Sequence, residues 1–218
     1  GDTPAQAHVW LNEHLADALG GTGRSGNRGK TATVLCRIWV NVPPHCDAIR
    51  AKAVGLLSSV NPEERVGLHW AMAMAVYPFF GEVVGVVGRL LDLQGDVERQ
   101  AVVRRVVESW GDRPAVSRAS RAIWTSIIGW GVMSEGSRRG RYTRRTPSLR
   151  LSPIVQSFLV EAIVANLEQT PHSVRELASS PALFPFTMTG PVNLRQAPSV
   201  VLKRDLAREL GRVKTTPA

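Results

Sequence analysis

The sequence predicts a mainly α-helical protein, on three observations. Apolar residues recur at three- and four-residue spacing through most of the 218 positions. Strong helix starts and stops, such as Asn61-Pro62-Glu63-Glu64 and Gly20-Gly21, punctuate that pattern. Strand-like runs are few and short. The expected organisation is a helical bundle over 1–92, a basic segment of two helices and a hairpin over 93–150, and a smaller helical part with a few short strands over 151–218.

From Pro4 to Leu19, the residues Ala7, Trp10, Leu11, Leu15 and Ala18 share a helical face, and Gly20-Gly21 stops the helix. The loop 20–30 holds five glycines with Arg24, Arg28 and Lys30, and reads as mobile or as closing around something. Thr31 to Val42 resumes an apolar pattern that Pro43-Pro44 ends, with enough β-branched residues to leave strand as the alternative to helix. At Asn61-Pro62-Glu63-Glu64 the Asn caps free amides, Pro suits the first turn and the carboxylates meet the positive end of the dipole. The helix this opens, Val66 to Leu93, is apolar nearly all round and belongs in the middle of a bundle, with Pro78 kinking or dividing it near Tyr77.

Asp96 is expected to cap a helix through Trp110, with Val97, Ala101, Val106 and Val107 inward and Arg99, Arg104 and Arg105 toward solvent. After Gly111-Asp112-Arg113-Pro114, a helix from Val116 to about Gly129 turns Ala119, Ile123, Ile127 and Ile128 inward and leaves Arg118 and Arg121 away from that stripe. Val132-Met133 suits a short strand, Ser134 to Gly140 a turn, and Tyr142 to Thr146 a return strand. Two helices, a turn and a basic hairpin make a winged helix-turn-helix pattern. The last third offers a helix from Pro153 to Glu168, a short helix near 173–179, a loop with five prolines between Pro171 and Pro198, and an apolar run, Val200 to Leu202, that suggests an edge strand.

Composition narrows the function. With 44% hydrophobic, 21% charged and 6% aromatic residues, disorder, collagen and a disulfide-stapled mini-protein are excluded. Lys and Arg number 27 against 18 Asp and Glu, a formal charge of +9, and the excess is nearly all arginine, whose planar fork grips phosphate oxygens. Residues 93–150 hold 12 basic and 5 acidic groups, so +7 of the +9 falls there. Within that segment Arg138, Arg139, Arg141, Arg144, Arg145 and Arg150 follow one another with no acid between Glu135 and Glu161. Their repulsion must be offset from outside the segment, and a phosphate backbone is the obvious candidate.

Other chemistries find little support. Gly29-Lys30-Thr31 matches the end of a phosphate-binding loop, but Arg24 stands where its first Gly belongs and the preceding element reads as helix instead of strand. Cys36 and Cys46 lack zinc-site spacing and read as the reduced, buried thiols expected of a cytoplasmic protein. The five histidines form no HxxxH or HExxH, no Ser lies in a nucleophile elbow, and the carboxylates are scattered. No catalytic residue, metal or cofactor is therefore expected, nor a small-molecule substrate, and no stretch has the length of a membrane span or the pattern of a signal peptide. Trp10, Trp39, Trp70, Trp110 and Trp124 fall on or beside apolar stripes and are expected in the core, whereas Trp130 and Tyr142 flank the arginine hairpin.

Asn27-Arg28-Gly29-Lys30-Thr31 before Leu35-Cys36-Arg37-Ile38, then Tyr77-Pro78-Phe79-Phe80, Ser117 to Met133, Leu177-Ala178-Ser179-Ser180-Pro181 and Val200 to Arg204 resemble, in order and residue class, the BrxA family of BREX phage-defence systems. The resemblance runs from about residue 8 to 210 and departs in the glycine-rich 20–30 loop and the alanine- and valine-rich long helix. It implies a mostly helical protein with a part similar to the RNA-binding antitermination factor NusB and a winged-helix-like part, binding double-stranded DNA without catalysis within a multi-protein defence system.

Independently of the resemblance, the charge pattern leads to the same expectation. Arg118 and Arg121 would enter the major groove, and Arg138, Arg139 and Arg141, with Arg144, Arg145 and Arg150, would lie along the minor groove or the backbone. Arg24, Arg28 and Lys30 add a second basic element. With few Asn or Gln on the second helix, sequence preference is expected to be weak. Two rivals remain: a NusB-like RNA-binding module using Arg24, Arg28, Lys30 and Arg37, and an adaptor whose basic face docks an acidic protein.

Overall fold

The computed structural model describes residues 3–20, 26–165 and 174–189, and among them the chain is mainly helical. It divides into two compact units, Gly1–Ser58 and Ser59–Ala218.

The first unit is a set of three helices. Helix α1 (Pro4–His14) starts in a capping box, with the Gln6 side chain accepting the Thr3 amide at 2.7 Å and the Thr3 hydroxyl accepting the Gln6 amide at 3.3 Å. It ends at His14, and 15–18 form a turn, short of the expected Leu19. None of its residues is buried; its half-buried stripe of Ala7, His8, Leu11 and Asn12 goes with packing on α2 (Asn27–Trp39). Trp10 lies beside that stripe, not on it. Contrary to expectation it is 55% exposed, stacked on His14 with ring centres 3.8 Å apart. His8 Nε2 donates to the Gly29 carbonyl at 3.3 Å and ties the two helices together.

The open choice over 31–42 resolves as helix through Trp39, with Gly29, Ala32 and Cys36 forming an inward face at three- and four-residue spacing. The helix also takes in Arg28 and Lys30, which the sequence places in a loop. After a 3-10 turn at Pro44–Cys46, on which it packs, α3 (Asp47–Leu57) buries Ile49, Ala53 and Leu56. Cys36 and Cys46 are buried and not joined in a disulfide, and burial pushes both thiols above their usual range.

The second unit opens with a 3-10 turn at Pro62–Glu64, where Asn61 and Glu64 cap each other, and continues as α4 (Arg65–Val76). Tyr77-Pro78 breaks the long apolar helix as expected: α4 and α5 (Pro78–Gln94) meet at 120°. The bend lets two apolar rods share one core where a straight helix would leave one end without a partner. No single helix among the described residues is long and apolar enough to cross a membrane. Helix α4 packs on α8 (Pro153–Val164), whose residues from Val155 to Ala162 are all buried. Trp70 at the centre of α4 is wholly buried, its indole donating to the Ala182 carbonyl at 3.0 Å, with Phe80, Trp130, Phe184 and Phe186 in edge contact around it.

After α5 the order is β1 (Val97–Glu98), α6 (Arg99–Trp110), α7 (Pro114–Gly129), β2 (Met133–Glu135) and β3 (Arg141–Arg144). The three strands form one antiparallel sheet in the order β1-β3-β2, with Val97 opposite Tyr142 and Ser134 opposite Thr143. Asp96 therefore does not cap α6. The chain pairs with β3 before turning helical, Glu98 takes the cap position, and Val97 is buried under the sheet. A second pairing, parallel and unforeseen in the sequence, joins β4 (Leu149–Arg150) to β5 (Phe186–Thr187). Between them lie α8, a short α9 (Val174–Ala178) and a 3-10 turn, Pro181–Leu183, packed on α5. The end of the expected helix at Glu168 and the suggested strand at Val200 to Leu202 fall outside the described residues.

Candidate nucleic-acid interface

The basic segment folds around the α6–α7 pair. Helix α6 stops at Gly111, whose φ of 86° reverses the chain, and Pro114 starts α7 at a position where its missing amide is harmless. Helix α7 buries Val116, Ser120, Trp124 and Ile127, a stripe rotated from the expected Ala119, Ile123, Ile127 and Ile128. The rotation is possible because Ser120 can be buried without loss: its hydroxyl donates to the Val116 carbonyl at 2.9 Å. Trp124 also meets Tyr142 of β3 edge-on at 5.5 Å, so one aromatic contact sets the helix against the sheet. The opposite face exposes Arg118, Arg121, Ala122, Thr125 and Ser126.

The hairpin between β2 and β3 closes tightly. The Gly136 amide donates to the Arg141 carbonyl at 2.7 Å and the Arg141 amide to the Arg138 carbonyl at 3.1 Å, with Gly140 at φ 78°. A positive φ at the third position is the signature of a type II turn, which only Gly adopts at ease. Ser137, Arg138 and Arg139 are held out in solvent at the tip.

The six arginines of the run do not share one role. Arg141 is half-buried and forms an ion pair with Asp96, and Arg144 forms one with Asp92 near the end of α5. The Arg141 hydrogen bond holds the Asp96 carboxyl below its usual range. Asp92 and Asp96 thus supply part of the neutralisation that the sequence assigns to a phosphate backbone. Arg138, Arg139, Arg145 and Arg150 are exposed and have no ion-pair partner among the described residues, as are Arg118 and Arg121.

The first unit carries the other expected contacts on a different scaffold. Arg28 is half-buried at the start of α2 with its Nε turned inward and unbonded, and Lys30 is exposed one residue beyond Gly29. Arg24 lies outside the described residues. Of the tryptophans, Trp70 and Trp124 are buried as expected and Trp39 is half-buried, but Trp110 is 40% exposed at the end of α6, edge-on to Phe79 at 5.1 Å. A ring in the last turn of a helix has neighbours on one side only. Trp130 is 36% exposed and leans on Trp70.

No family model, curated protein or solved structure matches the chain. The chemistry of the segment is thus read from its own groups. Among the described residues no three His, Cys, Asp or Glu side chains gather in a form that would hold a metal ion. What the segment offers instead is guanidinium: two arginines on a helix face and four on and beside a hairpin. Sequence reasoning missed the residues that position them, Asp92, Asp96 and the Trp124–Tyr142 pair. Glu98 and Val97 gave the one available signal, since a β-branched residue ahead of the helix suits a strand as well as a cap box.

Proposed function

We propose that the basic segment 93–150, with α5 ahead of it, forms a winged helix-turn-helix that binds double-stranded DNA, mostly through its phosphate backbone and without catalysis. The order helix, strand, helix, helix, hairpin with the third strand central in the sheet supports that assignment. Helix α7 then takes the groove-facing place and the Ser137-Arg138-Arg139 tip is the wing. The observation that carries the reading is the set of exposed, unpaired arginines on these two elements, with no acidic residue anywhere in α7. The role implied by the BrxA resemblance, a component of a BREX-type phage-defence system acting with other defence proteins, is part of the same proposal.

The test is fluorescence anisotropy of a labelled duplex and a matching RNA hairpin, titrated at several salt concentrations. Beside the parent chain stands a variant carrying Arg138→Gln, Arg139→Gln and Arg145→Gln, which leaves the ion-paired Arg141 and Arg144 in place. Duplex affinity is expected to fall steeply with salt, and the variant to lose about 0.9 of slope for each phosphate contact removed. Preference for the RNA hairpin, unchanged in this variant, would favour the NusB-like rival on Lys30 and Arg37. Absence of binding to both probes at low salt would leave the acidic-protein adaptor.

A further inference from the structure

We infer that α7 selects guanine, through Arg118 and Arg121, so that the protein prefers duplexes carrying guanines about one base-pair step apart. The inference rests on the reading of this segment as a groove-binding module, and it concerns what the helix face can tell apart once there.

The exposed face of α7 is almost stripped of hydrogen-bonding reach. Ala122 has none. The Thr125 hydroxyl donates to the Arg121 carbonyl and the Ser126 hydroxyl to the Ala122 carbonyl, both at 3.0 Å, so both are folded back on their own helix. Ahead of the helix, Arg113 is turned back to the Trp110 carbonyl at 2.9 Å. Arg118 and Arg121 are the long polar side chains that this face extends into solvent, and neither is drawn aside by an ion pair among the described residues.

A guanidinium only donates. In the major groove guanine presents two adjacent acceptors, N7 and O6, while adenine sets a donor beside its one acceptor, thymine offers a single acceptor and cytosine a donor. A face whose reach is all forked donor therefore discriminates in one direction. Spacing fixes the second term: residues three apart on a helix are separated by about 4.5 Å along its axis. Stacked base pairs are about 3.4 Å apart. The two forks thus address neighbouring base pairs. Small side chains at 122, 125 and 126 leave no bulk to hold the helix off the bases. The expected preference is narrow, a step of one or two pairs inside an otherwise sequence-tolerant site.

The experiment selects duplexes from a pool with a randomised centre using the full chain, then measures anisotropy on a selected duplex with individual guanines replaced by 7-deazaguanine. That base keeps its pairing and loses only the N7 acceptor. Enrichment of guanines one step apart, with a loss of about 5- to 150-fold on replacement, is expected. Arg118→Ala and Arg121→Ala should each erase the penalty at one position, because no donor then reaches N7 or O6 there. The wing-tip variant should weaken all duplexes alike. Tight, salt-dependent binding with no guanine enrichment would overturn guanine selection and leave the duplex-binding proposal standing. Failure to bind any duplex at low salt would overturn both.

Discussion

Gly88 shows how little latitude a single position can have. It lies on the face of α5 covered by the 3-10 turn at Pro181, and a Cβ built there would sit 1.9 Å from the Pro181 carbonyl oxygen and 2.7 Å from its carbon. Both are backbone atoms, so relief requires moving the turn and with it the Ala182 carbonyl that accepts the Trp70 indole. Gly88→Ala is expected to destabilise the protein by about 1–3 kcal/mol, the usual range for overpacking, and more if the Trp70 bond is lost. Chemical denaturation of the two proteins measures it. A variant as stable as the parent would mean that the turn is not held against α5. Nothing in the local sequence marks this glycine among the three of Gly81, Gly85 and Gly88, since the atom it avoids is 93 residues away.

At the scale of elements, the sequence was most legible where one helix contains its own signals. The capped start at Asn61, the division at Tyr77-Pro78 and the turn at Gly111 to Pro114 all stand where the residues placed them. It was least legible where an element is decided by a distant partner. Val97-Glu98 became a strand because β3 runs beside it, and α7 turned its buried stripe toward Trp124 because Tyr142 waited there. Two expected outcomes belong here. Gly140→Ala puts a side chain at φ 78° in the turn and should cost about 1–2 kcal/mol; a thermal unfolding series including Gly136→Ala, at a site without positive φ, separates strain at the turn from crowding.

The other outcome concerns Glu64, which joins the start of α4 to the start of α8. Its carboxylate accepts the Ser152 amide and the Asn61 amide. Burial alone would push this acid up, but the hydrogen bonds prevail and it is held below its ordinary value of 4.5. The folded form therefore prefers the ionised acid. The corresponding stability is fully present above that value and drains away as pH falls through the lower folded one. Glu64→Gln should be less stable than the parent at neutral pH, with the gap closing on acidification; a gap independent of pH would contradict the assignment.

For the molecule as a whole, net charge overstates what is free to act. Of the 12 basic residues between 93 and 150, Arg105 pairs with Glu108 at 3.2 Å, Arg141 and Arg144 are held by aspartates, and Arg113 turns to a carbonyl. Of the eight that remain, Arg99 and Arg104 lie exposed on α6, and Arg118, Arg121, Arg138, Arg139, Arg145 and Arg150 are the proposed contacts. If Arg118 and Arg121 face bases and each of the other four neutralises one phosphate, the logarithmic salt slope on duplex DNA should be about −4, where all twelve on phosphates would give about −11. Titration over a fourfold range of salt distinguishes these values. The basic character of this region was legible in the sequence, but its division into holding and free arginines was not, because Asp92 and Asp96 come from before the helices and meet β3 only in three dimensions.

The sheet also fixes an order of events. Val97 and Glu98 have no ladder partner until Tyr142 and Arg141 exist, and the intervening stretch contains both α6 and α7. During synthesis the helices can form as soon as their own turns are complete, yet the edge of β1 stays open until about 45 further residues have been added. The closure entropy of that long loop is met only when the pairing forms. A nascent chain stopped before Arg141 therefore has the residues of both helices but not the β1–β3 ladder that frames them.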